Sequence, residues 1–498
     1  MSATDNNDKN PSKLGNARRI SFVFSDSIVF GGASVFKTSF SLLTFPILTR
    51  HFSKVEYGTI DLFGMITSLL VILCIFGQDS AIMRFFYDSN DRSYRRKMIS
   101  QSLLLQVACA ALLIPIPLIF ADWIGAQLSS AVNSGTLVRL VVATAPFEIG
   151  FALACLVCRI NFQRGRYVLL TVGMVMVRVA VLIAAIYVLD IGVTGVFWIN
   201  FGMSIFGCLV GLWYIRDWLV VPSDFGLLKP LLPYALPLGV IMVVTAVFPV
   251  FERLFVEDTI GPDALGYYAA GAKVAMLISI PIAAFMTAWG PFSLAIAKEP
   301  DAEQTYQAIF RLLVVMVVPL VLVLDIMGSR ILDLLAGSGY TAGSVVVFPL
   351  ACGIAIGFLG SVTSVGLAIR KRMIFRLYAF VLFLVVGFAA IITLGNLFGL
   401  QGVAYGALVG QLVLATSLYL FAKMVSGISW NAPPVIIFIG VFLVGGFALN
   451  VTLGSSHIAF SILHAGAVLV VCPLVGILLL FTPSERRSAL AAISRVRR

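Results

Sequence analysis

The feature that most constrains this chain is a series of apolar runs about 20 residues long, separated by short polar loops. Two examples are VLLTVGMVMVRVAVLIAAIYVL and PVIIFIGVFLVGGFALNVTL. A helix of about 20 residues crosses the roughly 30 Å hydrocarbon core of a bilayer. Backbone groups in hydrocarbon must be hydrogen-bonded within their own segment, and these runs are too long and too evenly apolar for barrel strands. The chain is therefore predicted to be an all-α polytopic membrane protein.

Composition and loop charge extend this prediction. The 498 residues are 60% hydrophobic and 11% charged, whereas a soluble domain carries about a quarter charged residues. We predict about fourteen transmembrane helices, with the loops rich in lysine and arginine on the cytoplasmic side, as the positive-inside rule requires. These basic residues are Lys9, Lys13, Arg18, Arg19, Arg92, Arg95, Arg96, Lys97, Arg159, Arg164, Arg166, Arg370, Lys371, Arg372, Arg376, Arg486, Arg487, Arg495, Arg497 and Arg498. Both termini are thus predicted to be cytoplasmic. Because topology accounts for most of the net charge of +11, no nucleic-acid partner is predicted.

An internal repeat divides the chain. FPILTRHF (Phe45–Phe52) matches FPVFERLF (Phe248–Phe255), and GVTGV (Gly192–Val196) matches GLQGV (Gly399–Val403) in the same register. The first pair ends the first and seventh predicted spans, and the second pair begins the sixth and twelfth. Six spans per copy is an even number, so the two copies are parallel repeats.

The repeat predicts five segments. They are a cytoplasmic tail (1–20), an N-terminal six-helix lobe (21–220), a C-terminal six-helix lobe (221–428), an appended pair of helices 13 and 14 (429–482) and a basic cytoplasmic tail (483–498).

The repeated octapeptide is typical of a helix end. Its proline removes a backbone donor and kinks the helix, and its arginine, Arg50 or Arg253, can extend from the outer interface to water. A glycine, Gly58 or Gly266, then opens the next span. The two arginines are candidates for substrate contact, with a purely anchoring role as the alternative.

Several stretches resemble a known family. A helix ending in Leu-Thr-Arg, the loop EYGTIDLF and a span ending in AIMRFF are similar to the start of bacterial Wzx-type polysaccharide flippases. This is the polysaccharide-transport branch of the multidrug/oligosaccharidyl-lipid/polysaccharide exporter superfamily. FERLFVEDTIGPDALGYYAAGAKVA and RINFQRGRYV also resemble family patterns. The resemblance implies two six-helix lobes around a central cavity, a lipid-linked oligosaccharide as cargo, and a bacterial cytoplasmic (inner) membrane as the location.

Lysines inside the predicted spans are candidate substrate-binding groups. Charged groups at mid-membrane are costly and mark pathways or ion pairs by default. Lys37 lies in the first span and Lys273 in the eighth, and in the family fold both helices border the cavity. We expect both lysines to bind the anionic diphosphate or acidic sugars of the cargo. The alternative for each is a snorkelling or structural role.

Three further charges have more than one interpretation. Arg178 and Glu148 lie at similar depth on antiparallel neighbours, which predicts either an ion pair or a cavity-lining arginine. The pair could also couple transport to an ion. Asp61 is expected near the cavity mouth, where it could serve coupling or ion pairing.

The leading functional prediction is a flippase that moves an isoprenoid-diphosphate-linked oligosaccharide by alternating access. A lipid II flippase or multidrug exporter of the same superfamily is the alternative. A membrane enzyme such as a polymerase or ligase is disfavoured, because outside the spans the sequence has no nucleophile–base constellation, metal motif or phosphate-binding loop. No cofactor and no metal site are predicted. The expected partners are lipid-linked oligosaccharide, membrane lipids and a polysaccharide polymerase or export complex.

Overall fold

A computed structural model describes residues 32, 36, 43–89, 91–129, 133–222, 224–297, 299–430, 432–453 and 458–481. All regular structure in these ranges is helical. Eleven helices are long and apolar enough to cross a membrane. The prediction of an all-helical, multi-pass membrane protein is therefore confirmed. The count of fourteen spans, the sides of the termini and the segment boundaries stay predictions, and both predicted tails lie outside the described residues.

The described residues of the first half form ten α-helices. They are α1 (43–51), α2 (Lys54–Ile75), α3 (Gln78–Phe85), α4 (Arg92–Leu113), α5 (Pro115–Ile119), α6 (Ala121–Leu128), α7 (Ser134–Ile160), α8 (Arg164–Val168), α9 (Met174–Leu189) and α10 (Val193–Ile215). A π-helical turn, Leu169–Gly173, joins α8 to α9. A 3₁₀ turn, Arg216–Trp218, follows α10.

The described residues of the second half form nine more. They are α11 (Leu228–Phe255), α12 (Pro262–Ala275), α13 (Ser279–Ala295), α14 (Ala302–Ala336), α15 (Val347–Thr363), α16 (Val365–Ile369), α17 (Ile374–Ser426), α18 (Ala432–Leu453) and α19 (Ile458–Leu480). A π-helical turn, Val256–Ile260, extends α11, and 3₁₀ segments precede α13 (Met276–Ile278) and α15 (Ser338–Val346). In α17, Gly399 has a non-helical backbone (φ 59°, ψ −138°), so this 53-residue element is two helices joined at a kink.

The start of α2 shows how local sequence sets a helix boundary. The Ser53 hydroxyl accepts a hydrogen bond from the Glu56 amide at 3.3 Å, and the Glu56 carboxylate accepts one from the Ser53 amide at 2.9 Å. This reciprocal arrangement is the capping box that Ser-x-x-Glu encodes. The capping box fixes the residue at which α2 begins. It thereby fixes how deep in the membrane each side chain of α2 lies.

The two halves pack together through α2, which contacts both α11 and α12. A Cβ atom on Gly58 would lie 2.9 Å from the Gly266 amide nitrogen, and a Cβ on Gly266 would overlap the Lys54 carbonyl. Only glycine permits backbones to approach so closely. The two glycines that follow the repeated octapeptide therefore meet each other across the boundary between the halves.

The final helix pair packs on α14. Arg311 of α14 donates a hydrogen bond to the Leu480 carbonyl at the end of α19, at 2.7 Å. Its guanidinium also lies 5.0 Å from the centre of the Phe481 ring. Cations are favourable at helix C-termini because they oppose the helix dipole. Arg311 therefore fastens α19 to the second half.

Candidate functional site

A buried network of charges joins the two halves, and Arg253 of α11 lies at its centre. Arg253 Nε is 3.1 Å from Asp61 Oδ2 of α2, and its Nη1 is 3.0 Å from Glu252 Oε2. The side chains of these three residues are only 4%, 5% and 8% exposed. The guanidinium thus binds one carboxylate from each half of the chain.

Two residues of α12 complete the network. Lys273 Nζ lies 3.8 Å from Asp61 Oδ1, and its side chain is 25% exposed. The Tyr268 hydroxyl donates to Glu252 Oε2 at 3.0 Å, and the Arg253 guanidinium lies 5.2 Å from the centre of the Tyr268 ring. Each oxygen of Asp61 therefore faces a cation from the second half. Two cations balance two carboxylates, which offsets part of the cost of burying them.

The network corrects the expected position of Arg253. The prediction that Arg253 extends to water at the outer interface is wrong, because its side chain is 4% exposed and faces α2. The repeat predicts that this octapeptide ends a span, but α11 reaches Phe255 and continues as a π-helical turn to Ile260. Arg253 therefore lies inside the helix. Asp61 lies two turns into α2 and is likewise buried.

Other polar contacts between the halves lie near this network. Lys54 Nζ donates to the Tyr267 hydroxyl at 2.8 Å and lies 4.8 Å from the ring centre. Ser129, at the end of α6, donates to Glu257 Oε1 at 3.1 Å. All of these contacts are at the end of the molecule where α2 begins and α11 ends. In the predicted orientation this is the outer side.

Arg50 lies apart from the network. Its Nη2 donates to the Leu334 carbonyl in the last turn of α14, at 3.0 Å, and the side chain is exposed. The contact satisfies a helix-terminal carbonyl. This geometry fits the anchoring alternative, and substrate contact by Arg50 stays a prediction. Lys37 lies outside the described residues, so its expected place in the cavity also stays a prediction.

Glu148, Arg178 and Ser204 form a second polar cluster on α7, α9 and α10. Arg178 Nη2 is 2.9 Å from Glu148 Oε1 and 3.3 Å from Ser204 Oγ, and the serine hydroxyl donates to the same carboxylate oxygen. The arginine and glutamate side chains are 38% and 24% exposed, while Ser204 is 1% exposed. The geometry fits the ion-pair interpretation. Sequence reasoning missed Ser204, because one serine in an apolar run has no distinguishing signal.

This cluster gives a first prediction. Arg178→Ala should lower the melting temperature of the purified protein, because Glu148 is left as an uncompensated carboxylate. Glu148→Ala/Arg178→Ala should recover part of that loss, since breaking one partner costs more than removing both. Melting temperatures of the wild type, both single variants and the double variant provide the measurement. Strictly additive losses would contradict a pairing role and favour a cavity-lining role for Arg178.

Sequence reasoning also missed two members of the buried network, Glu252 and Tyr268, and the neighbouring contact between Lys54 and Tyr267. None of these four residues is singled out by the sequence analysis. The available signal was that FPVFERLF adds an acidic residue beside the repeated arginine, whereas FPILTRHF has a threonine there. A buried carboxylate next to an arginine predicts an internal pair.

Comparison with known proteins gives the family. The model of the family described as "Polysaccharide biosynthesis protein" matches residues 23–296, more than half of the chain. No curated protein sequence matches the chain.

Solved structures give the fold. The structure titled "Lipid II flippase MurJ, inward closed conformation" superposes with a TM-score of 0.73 at 13% identity, covering 91% of this chain and 100% of that one. An inward-facing multidrug resistance MATE family transporter of the MOP superfamily gives a TM-score of 0.62 at 15% identity, covering 82% and 96%. An outward-facing MATE family transporter gives 0.60 at 17% identity, covering 83% and 97%. The chain therefore belongs to the family described as "Polysaccharide biosynthesis protein", and its fold is similar to that of these flippase and transporter structures.

Proposed function

We propose that this protein translocates an isoprenoid-diphosphate-linked oligosaccharide across the cytoplasmic membrane of a bacterium, by alternating access, for polysaccharide export. The observation that carries the proposal is the convergence of Arg253 and Lys273 on Asp61. These two cations come from the second half of the chain and the carboxylate from the first. The network therefore combines an anion-binding site with the boundary that must open during transport.

The chemistry of the cargo fits these cations. A diphosphate carries negative charge on neighbouring oxygens and loses hydration on entering a low-dielectric cavity. Fixed cations replace part of that hydration, and their effect is large where water is scarce. In the absence of cargo, the two oxygens of Asp61 hold Arg253 and Lys273. An arriving diphosphate offers equivalent oxygens and displaces Asp61.

Displacement of Asp61 would release α2 from α11 and α12. The close approach of Gly58 to Gly266 and the Lys54–Tyr267 hydrogen bond lie at the same end of the molecule as the network. These contacts would therefore separate together when the two halves move apart. In this scheme the cargo itself weakens the contact that keeps the predicted outer side closed. The cargo would therefore bind the open state more tightly than the closed state. A ligand can drive a conformational change only through such a difference in affinity.

The remaining predicted groups have subsidiary roles in this scheme. Lys37 and Arg178 are proposed to bind cargo elsewhere in the cavity, with Glu148 either pairing Arg178 or coupling transport to an ion. Arg50 is proposed to contact cargo at the outer interface. The fourteen-span architecture, with two six-helix lobes and an appended pair, supplies the cavity. Membrane lipids surround it, and a polymerase or export complex would receive the product.

A lipid II flippase is the second candidate. The superposition on the lipid II flippase MurJ favours it. Multidrug export is less well supported by the site, because Arg253 and Lys273 suit an anionic cargo.

Lys273→Met provides the test of the proposed function. The change keeps most of the apolar stem and removes the charge. We expect the variant protein to be abundant and inserted, with surface polysaccharide strongly reduced and lipid-linked repeat units accumulating on the cytoplasmic leaflet. Lys273→Arg should retain much of the transport because it retains the charge, although a guanidinium is not equivalent to an ammonium.

Lys229→Met is the matched control, because Lys229 is an exposed lysine near the other end of α11. It should leave surface polysaccharide unchanged. Wild-type surface polysaccharide in Lys273→Met at wild-type protein level would contradict the anion-binding role. Accumulation of lipid II, with normal surface polysaccharide, would instead favour the second candidate.

A further inference from the structure

Where α3 packs on α4, a group of buried polar atoms has no hydrogen-bond partner among the residues that the structure describes. The atoms are Oε1 of Gln78, Oδ1 of Asp79, Oγ of Ser102, and both Oε1 and Nε2 of Gln106. Ser102 and Gln106 are 0% exposed. Leaving a buried polar group unsatisfied costs about 1–3 kcal/mol, so such a concentration calls for an explanation. The proposed function uses none of these residues.

Asp79 and Gln106 face each other within this group. The side-chain amide of Gln106 is the polar neighbour of the Asp79 carboxylate, yet neither amide atom makes a well-formed hydrogen bond. Ser102 lies one turn before Gln106 on the same face of α4. Three oxygen-bearing side chains from two helices therefore occupy one buried region.

Next to these side chains, the helical segment is interrupted between α2 and α3. Phe76 and Gly77 both have left-handed backbones, with φ of 41° and 74°, and they separate α2 from α3. Packing enforces the break, because a Cβ on Gly77 would lie 2.6 Å from the Gly239 amide nitrogen of α11. The Phe76 amide donates to the Ile72 carbonyl at 2.8 Å, and the carbonyls of the three residues between them lie in the last turn before the break, where regular helical pairing ends. Asp79 lies in the first turn of α3, and helical side chains lean towards the N-terminus, which directs its carboxylate back to the break.

We propose that this break binds one sodium ion. Its ligands would be the Asp79 carboxylate, Gln106 Oε1, Ser102 Oγ and carbonyl oxygens at the end of α2. Unwound carbonyls beside a carboxylate are a general way of binding Na⁺ within membranes, and hard cations select oxygen ligands. The site goes beyond the proposed function, which names no ion here.

The donor set specifies the kind of ion. One carboxylate supplies one negative charge, which suits a monovalent cation, and within the described ranges no group of three His, Cys, Asp or Glu side chains could hold a metal. A proton on Asp79 would let the carboxyl donate to one acceptor, such as Gln106 Oε1, and would still leave Ser102 Oγ without a partner among the described residues. Arg159 of α7 is a positive charge close enough to act on Asp79. On the side of α11, the residues that face the break are Ala235 and Gly239. Arg159 is exposed, so solvent screens its charge, but its sign opposes cation binding and its removal should raise the affinity.

Thermal unfolding of the purified full-length protein tests the site. The melting temperature is measured at constant ionic strength and pH while NaCl replaces choline chloride, with a parallel KCl series. We expect a saturable rise with Na⁺ that is larger than with K⁺, because a ligand that binds the folded state stabilises it. Asp79→Asn should abolish the rise. Asp88→Asn, at an exposed residue paired with Arg84 at 2.7 Å, should retain it.

Loss of the Na⁺ response in Asp79→Asn could also result from misfolding, so a variant with increased Na⁺ affinity is a second test. Arg159→Gln removes the opposing charge, so the Na⁺ concentration at half-maximal stabilisation should fall. The proposal is overturned by equal melting temperatures in Na⁺ and choline, by a full Na⁺ response in Asp79→Asn, or by an unchanged midpoint in Arg159→Gln. None of these measurements depends on transport, so they stand or fall separately from the flippase proposal.

Discussion

Arg253→Met is expected to destabilise the protein by about 3–5 kcal/mol, the cost of leaving buried carboxylates without their partner. Asp61 and Glu252 both lose their guanidinium in a region that is less than a tenth exposed. Adding Asp61→Asn and Glu252→Gln removes the uncompensated charges and should recover a large part of the loss. Denaturant or thermal unfolding of the purified variants measures the effect.

An exposed ion pair provides the matched control for this prediction. Arg139 lies 2.6 Å from Asp122, with side chains 47% and 77% exposed. Exposed pairs contribute about 0–1 kcal/mol, so Arg139→Met should have little effect. If Arg253→Met were no more destabilising than Arg139→Met, the buried network would not hold the two halves together.

Gly266→Val is expected to abolish transport while the protein remains inserted. Its side chain would overlap the Lys54 carbonyl, so α2 and α12 could not reach their closed contact. Gly64→Val on α2 is the control, because no heavy atom lies within 4 Å of the added Cβ there. Surface polysaccharide reports transport, and labelling of Tyr267→Cys by an impermeant thiol reagent reports opening. Labelling should rise in the Gly266→Val background.

Two results would contradict this account of Gly266. One is normal surface polysaccharide in Gly266→Val. The other is loss of transport in Gly64→Val to the same extent, since bulk alone would then explain the effect.

The sequence was sufficient for the fold class and the family, and it singled out Arg253, Asp61 and Lys273, which the structure brings together. Long apolar runs predict a helical membrane protein because hydrocarbon leaves the backbone few alternatives. The repeated octapeptide singled out Arg253, and the glycines after it singled out Gly58 and Gly266. A repeat identifies equivalent positions in the two halves of the sequence, however, and does not show which residues are in contact.

The contacts themselves could not be predicted from the sequence. Arg253 and Asp61 are 192 positions apart, and their pairing depends on which face each helix turns to the other half. A break at Phe76 and Gly77 cannot be distinguished from an ordinary apolar span by composition, because one of its two left-handed residues is a phenylalanine.

The central claim is that separation of α2 from α12 moves a diphosphate-linked oligosaccharide across the membrane. It is tested most directly with Lys54→Cys/Tyr267→Cys in a background without the seven native cysteines, reconstituted in vesicles. A short, reducible thiol cross-linker joins the two positions, and an impermeant glycosidase measures how much isoprenoid-diphosphate-linked oligosaccharide reaches the opposite leaflet. We predict translocation before cross-linking, none after it, and recovery on reduction. Equal translocation by the cross-linked protein, or none by the uncross-linked protein, would contradict the account.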